Sequence, residues 1–114
     1  MKHADDVLSR SGFLILLALA DQPRHGLGIV ENVEVATEGR VKLGPGTLYG
    51  TLQKLVASGY IREAREAPDP TDDDPRRRYY RLTPKGSTAL RLEASKMYAL
   101  VEVAVQKHIL EEGA

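Results

Sequence analysis

Leu43-Gly44-Pro45-Gly46-Thr47-Leu48-Tyr49-Gly50-Thr51-Leu52-Gln53-Lys54-Leu55 decides how the rest of this 114-residue chain is read. A glycine-proline-glycine punctuation opens it, and a helix with two different faces follows. Leu48, Leu52, Leu55 and Val56 fall at helical spacing and are expected to point into a core. Thr47, Tyr49, Gly50, Gln53 and Lys54 occupy the side and opposite face, a mixture of hydrogen-bonding, small and cationic groups suited to lying in a DNA major groove. An ordinary amphipathic helix with a solvated polar face has the same pattern, so this stretch alone leaves both readings open.

Upstream, residues 6–21 read as a first helix. Its apolar positions Phe13, Leu14, Leu16, Leu17 and Leu19 cover most of the circumference, which calls for burial on more than one side. Residues 22–26, Gln-Pro-Arg-His-Gly, are a turn by composition. A second helix is expected from residue 26 or 27 to residue 37 with Ile29, Val30 and Val33 inward, closed by Glu38-Gly39.

Downstream the periodicity changes to two. Residues 60–66 and 77–83 alternate as strands, with Tyr80 and Leu82 inward and Tyr79 outward. Between them, residues 67–75 hold three prolines and four aspartates, which cannot pair in a sheet, so the two strands form a hairpin with a long tip. Thr83-Pro84 restarts a helix with threonine as N-cap and proline in the first turn. No glycine or proline interrupts residues 87–112, which gives a final helix of roughly 25 residues. On it Leu90, Ala94, Met97, Val101, Ala104 and His108 follow heptad spacing, and Leu100, Val103, Val105 and Ile109 widen the apolar surface. Such a helix has little of its own chain to pack on. Dimerisation through it, aided by Phe13 and Leu17 of the first helix, is the economical expectation.

Helix, helix, helix and two-stranded hairpin is the order of a winged helix-turn-helix domain. The fold expected is therefore mainly α with a small β-hairpin: a winged helix-turn-helix domain over residues 1–83, then a long C-terminal dimerisation helix over residues 84–114.

Composition bounds the function. Hydrophobic residues at 42% and charged residues at 28% are ordinary globular values. Formal net charge is zero, yet its distribution is uneven. Arg40, Lys42, Lys54, Arg62 and Arg65 face a single acid, Glu63, in their stretch. Arg76, Arg77, Arg78, Arg81 and Lys85 face none, and that local field is what phosphates would feel. Cysteine is absent, which excludes disulfides and thiolate sites. The longest apolar run, residues 13–20, is too short to span a bilayer, so a soluble cytoplasmic protein without membrane contact is expected. His3, His25 and His108 fall in three different elements without metal-ligand or catalytic spacing. His25 before Gly26 reads as a turn or helix-cap residue. No enzymatic activity, cofactor or metal is expected.

His25-Gly26-Leu27-Gly28-Ile29, the Leu43–Leu52 segment, the Asp/Pro-rich linker into Arg-Arg-Tyr-Tyr-Arg-Leu, and Thr83-Pro84-Lys85-Gly86 occur in an order that resembles the PadR family of bacterial transcriptional regulators. The resemblance runs from about residue 11 to beyond Gly86. It departs at Leu27, where the family often has tyrosine after the His-Gly pair.

The resemblance implies a homodimeric repressor acting on double-stranded DNA at a palindromic operator. DNA contacts would come from Thr47, Tyr49, Gly50 and Lys54 of the third helix and from Arg76, Arg77 and Arg78 of the wing. The dimer would be held by Phe13, Leu17, Leu90, Ala94, Met97, Val101 and Ala104. Some members of similar size bind aromatic or cationic drugs at the dimer interface. A small-molecule effector is thus an implied partner, although no tryptophan and a single phenylalanine leave its chemistry unreadable. The zero net charge and the acidic wing tip keep a second reading open, a winged-helix protein-protein interaction module that does not bind DNA.

Overall fold

The computed structural model describes residues 8–64 and 77–113. In chain order these form α1 (Arg10–Ala18), β1 (Arg24–His25), α2 (Gly26–Ala36), α3 (Pro45–Ala57), β2 (Ile61–Ala64), β3 (Tyr79–Leu82) and α4 (Pro84–Gln106). The expected winged-helix architecture with a long last helix is present.

Local chemistry sets each boundary. Ser9 caps α1 by accepting the Gly12 N–H at 3.0 Å, which starts the helix at Arg10, later than apolar periodicity alone suggests. Its far end stops at Ala18 rather than residue 21, because the Arg24 side chain donates from Nε to the Ala18 carbonyl (2.7 Å) and pairs with Asp21 at 3.1 Å. The same arginine begins β1. Residues 24–25, expected to be turn, add a third strand to the hairpin.

The sheet order is β1-β3-β2, antiparallel throughout, with Arg24 opposite Tyr80 and His25 opposite Tyr79 on one side of β3. Ile61 lies opposite Leu82 and Glu63 opposite Tyr80 on the other. β3 is therefore central, which corrects the expectation for Tyr79. It is only 7% exposed, its ring covered by His25 in an edge contact with centroids 5.2 Å apart.

The core joins Ile15 and Leu16 of α1 and Leu19 at its C-cap to Ile29 and Val33 of α2, Leu48, Leu52 and Leu55 of α3, and Ile61 and Tyr80 of the sheet. Val56, expected inward, is 43% exposed. It lies one residue beyond Leu55, roughly 100° around the helix at 3.6 residues per turn, and lines a groove between α3 and the sheet.

The end of α3 and the start of α4 are bolted together. Gly59, at φ +80°, closes α3 with its N–H on the Val56 carbonyl and the Tyr60 N–H on the Leu55 carbonyl. The freed carbonyls are met from α4: Thr83 Oγ1 donates to Gly59 O (2.6 Å) and Lys85 Nζ to Ser58 O (2.8 Å). Thr83 also caps α4 by accepting the Gly86 N–H at 3.0 Å.

Beyond this joint α4 leaves the domain. Of its 23 residues only Gly86 and Leu90 are buried, and the described part of the molecule measures 51 × 36 × 24 Å. The helix ends at Gln106, six residues before the expected limit. His108, placed by heptad spacing on the seam, instead takes φ +63° in the terminating turn, with the Ile109 N–H on the Ala104 carbonyl at 2.8 Å. Among the described residues no helix is long and apolar enough to cross a membrane.

Candidate nucleic-acid interface

Helix α3 starts without a side-chain cap: Gly44 is the N-cap and Pro45 supplies the preset first turn. Burial of Leu48, Leu52 and Leu55 fixes its rotation, so the opposite face is turned to solvent. Thr47, Tyr49, Gly50, Gln53 and Lys54 are all exposed or nearly so. A β-carbon built at Gly50 would meet nothing within 4 Å. No neighbour among the described residues requires a glycine there.

The wing approaches this face at its root. Arg77 and Arg78 are exposed and lead directly into β3. A cleft of about 530 Å³ between α2, α3 and β3 is lined by His25, Gly26, Leu27, Tyr49, Arg77, Arg78 and Tyr80. The structure thus brings Tyr49 of α3 together with two of the three wing arginines. Arg76 lies outside the described residues, as do the acidic residues 69–74. Lys54 sits farther along the exposed face of α3, on its last turn.

Electrostatics in the cleft are mixed. Arg78 Nη1 lies 3.4 Å from Glu63 Oε2 across the hairpin, an exposed pair of small energetic weight. Burial, reinforced by the Glu63 carboxylate and partly offset by Arg78, pushes the Tyr80 phenol above its ordinary pKa. It stays protonated and offers a neutral hydroxyl to the cleft.

His25 is the residue that sequence reasoning placed here only as a cap. It is the N-cap of α2, its Nδ1 accepting the Gly28 N–H at 3.2 Å. Its second nitrogen, Nε2, lies 3.4 Å from Arg77 Nη1. The two residues are 52 positions apart, so only the β1–β3 pairing reveals the neighbourhood.

The residues expected at a dimer interface divide into two groups. Leu90 belongs to the domain core and Phe13 packs against it, so both seat their helices on this chain. Leu17, Ala94, Met97 and Val101 are exposed and Ala104 is half-buried. Among the described residues no group of three histidines, cysteines or carboxylates is placed to hold a metal.

Comparison with known proteins closes the question of family. Residues 15–92 match the model of the transcriptional regulator PadR-like family. A PadR-like transcription factor from Bacteroides fragilis superposes with a TM-score of 0.64 at 28% identity, covering 87% of this chain and 88% of that one. A PadR family transcription regulator from Clostridium difficile matches in fold, with a TM-score of 0.70 at 22% identity over 86% of this chain and 97% of that one. An uncharacterized 37.1 kDa protein in transposon TN4556 of Streptomyces fradiae is 40% identical over 87 residues, 76% of this chain. The chain spans 23% of that relative's length. With more than half its residues matching the family model, this chain belongs to the transcriptional regulator PadR-like family.

Proposed function

We propose that the chain is a homodimeric transcriptional repressor, with residues 1–83 as the DNA-binding unit and the helix over residues 84–114 as the dimerisation arm. The third helix reads the major groove of a palindromic operator through Thr47, Tyr49, Gly50 and Lys54. The wing, through Arg76, Arg77 and Arg78, holds the flanking backbone or minor groove. One observation carries this reading: the solvent face of α3, set by its three buried leucines, opens beside Arg77 and Arg78 in the same cleft. A groove-reading helix and a phosphate-seeking wing must share one side of the domain to engage one duplex.

Binding to a library of genomic fragments tests it. Log affinity should fall linearly with log salt, and Lys54→Ala should weaken binding and reduce the slope by about 0.9 for each phosphate contact removed. Salt-independent retention, or none, would rule the reading out.

Gly50 provides a second test because its two expected effects have opposite signs. Alanine inside a helix is favoured over glycine by about 0.5–1 kcal/mol, and here the added methyl meets nothing within 4 Å among the described residues. Gly50→Ala should therefore unfold at higher urea while binding operator more weakly, since the glycine is needed by the approaching duplex and not by the fold. Undiminished DNA affinity in the stabilised variant would remove Gly50 from the interface.

A further inference from the structure

The hydrogen bonds around His25 contain a conflict that bears on what the cleft binds. Nδ1 accepts the Gly28 N–H, so in the neutral ring the proton must sit on Nε2, making that atom a donor. Arg77 Nη1, 3.4 Å from it, is a donor in every state. Both ring nitrogens cannot accept at once. Both groups are therefore donors, 3.4 Å apart in the lining of the cleft, close enough for one anionic group to take a bond of ~2.8 Å from each.

The imidazole has little freedom to turn away. The cap bond holds one edge, and the Tyr79 ring stands against it at an interplanar angle of 85°. Tyr49 borders the same space from α3, its hydroxyl close enough to Gly26 that a β-carbon there would lie 3.0 Å away. The donors come from three separate elements: β1, the segment leading into β3, and α3. An acceptor lodged among them would register α2, α3 and the wing against a single point.

We propose that the Nε2–H of His25 and the Arg77 guanidinium clamp one DNA backbone phosphate in the cleft at the root of the wing. The clamp rests on the DNA-interface reading above and adds to it a neutral donor at a defined place. Its role is positional: phosphate contacts fix register and orientation on the duplex while side chains of α3 meet base edges. His25 neutralises no charge, so its contribution shows in affinity and in position along the backbone. Arg77 also contributes to the salt slope.

The ring can be examined first without DNA. Nitrogen-15 NMR of the wild-type protein, at a pH where the ring is neutral, should show His25 as the Nε2–H tautomer. The Nδ1–H tautomer would overturn the clamp.

DNA binding is then measured with a duplex enriched by the wild-type protein from a random-sequence pool, with single phosphates replaced in turn by neutral methylphosphonate. His25→Asn keeps a capping acceptor and removes the Nε2 donor. It should bind about tenfold more weakly with an unchanged salt slope, and should lose the wild-type sensitivity to methylphosphonate at one backbone position only. Arg77→Gln should lose sensitivity at the same position. Retention of every positional sensitivity in His25→Asn would overturn the clamp while leaving the interface intact. Failure of the wild-type protein to enrich any duplex would overturn the interface and the clamp with it. If His25→Asn does not fold, the tautomer and the Arg77→Gln scan decide the matter.

Discussion

Gly86→Ala is expected to destabilise the protein by about 3–5 kcal/mol, a large share of the roughly 5–15 kcal/mol that holds a domain of this size. A β-carbon at this position would overlap the Tyr60 carbonyl group and press on Leu82 Cδ1. Most overpacked sites relax by turning a side chain, at about 1–3 kcal/mol. Here the obstacle is backbone, and it is held: the Tyr60 carbonyl accepts the Thr83 N–H at 3.1 Å. Giving way means breaking that bond, worth about 1 kcal/mol, and loosening the Thr83 and Lys85 contacts to the end of α3. Urea unfolding followed by far-ultraviolet circular dichroism provides the measurement. A change below 1 kcal/mol would show that the joint between α3 and α4 is soft. Gly50→Ala is the natural control, since the same substitution in a helix with open space around it should shift stability the other way.

That joint explains which parts of the molecule could be read from the sequence. Thr83-Pro84 announces a helix start through short-range capping chemistry, and Leu48, Leu52 and Leu55 announce a buried stripe through periodicity. Both signals are local. Strand alternation puts Tyr79 outward because it assigns one face to each residue, whereas its burial depends on a two-residue strand, β1, too short to show any period and bracketed by Pro23 and Gly26 as a turn would be. His25 could be recognised as a cap from its place before Gly26. Its donor edge could not, because Arg77 reaches it only through pairing across half the chain. The end of α4 at Gln106 left no mark either, since the left-handed position that closes it holds histidine where glycine would have signalled the turn. The exposed face of α3 and the wing arginines are legible as chemistry; the meeting of Tyr49 with Arg77 and Arg78 in one cleft requires the fold.

Val101→Glu is expected to convert the protein to a 12.5 kDa monomer and to lower operator affinity by about 10²- to 10⁴-fold, the range lost when two linked binding events become independent. Beyond Leu90 the helix exposes Met97, Leu100 and Val101 at 42%, 70% and 45%, an apolar surface that a second copy would cover. In a two-fold seam one substitution places a carboxylate in each strand, and burying unpaired charge is far costlier than the packing it replaces. Because Val101 touches solvent in the single chain, the monomer should keep a folded domain by far-ultraviolet circular dichroism and melt at a temperature that no longer depends on protein concentration, which separates dissociation from unfolding. Light scattering coupled to size exclusion reads the mass. A dimer that survives the glutamate, or a wild-type chain already monomeric at micromolar concentration, would contradict the arm assignment. The effect on DNA would arise far from α3, through the rigid joint at Thr83, Lys85 and Gly86. In the proposed dimer each α3 would be fixed to the base of its own α4, so the pairing of two α4 helices would set the separation of two α3 helices, to match half-sites about 34 Å apart or a multiple of that. Severing such a pairing would leave each exposed α3 face intact and remove the spacing that the proposed dimer needs to engage one operator.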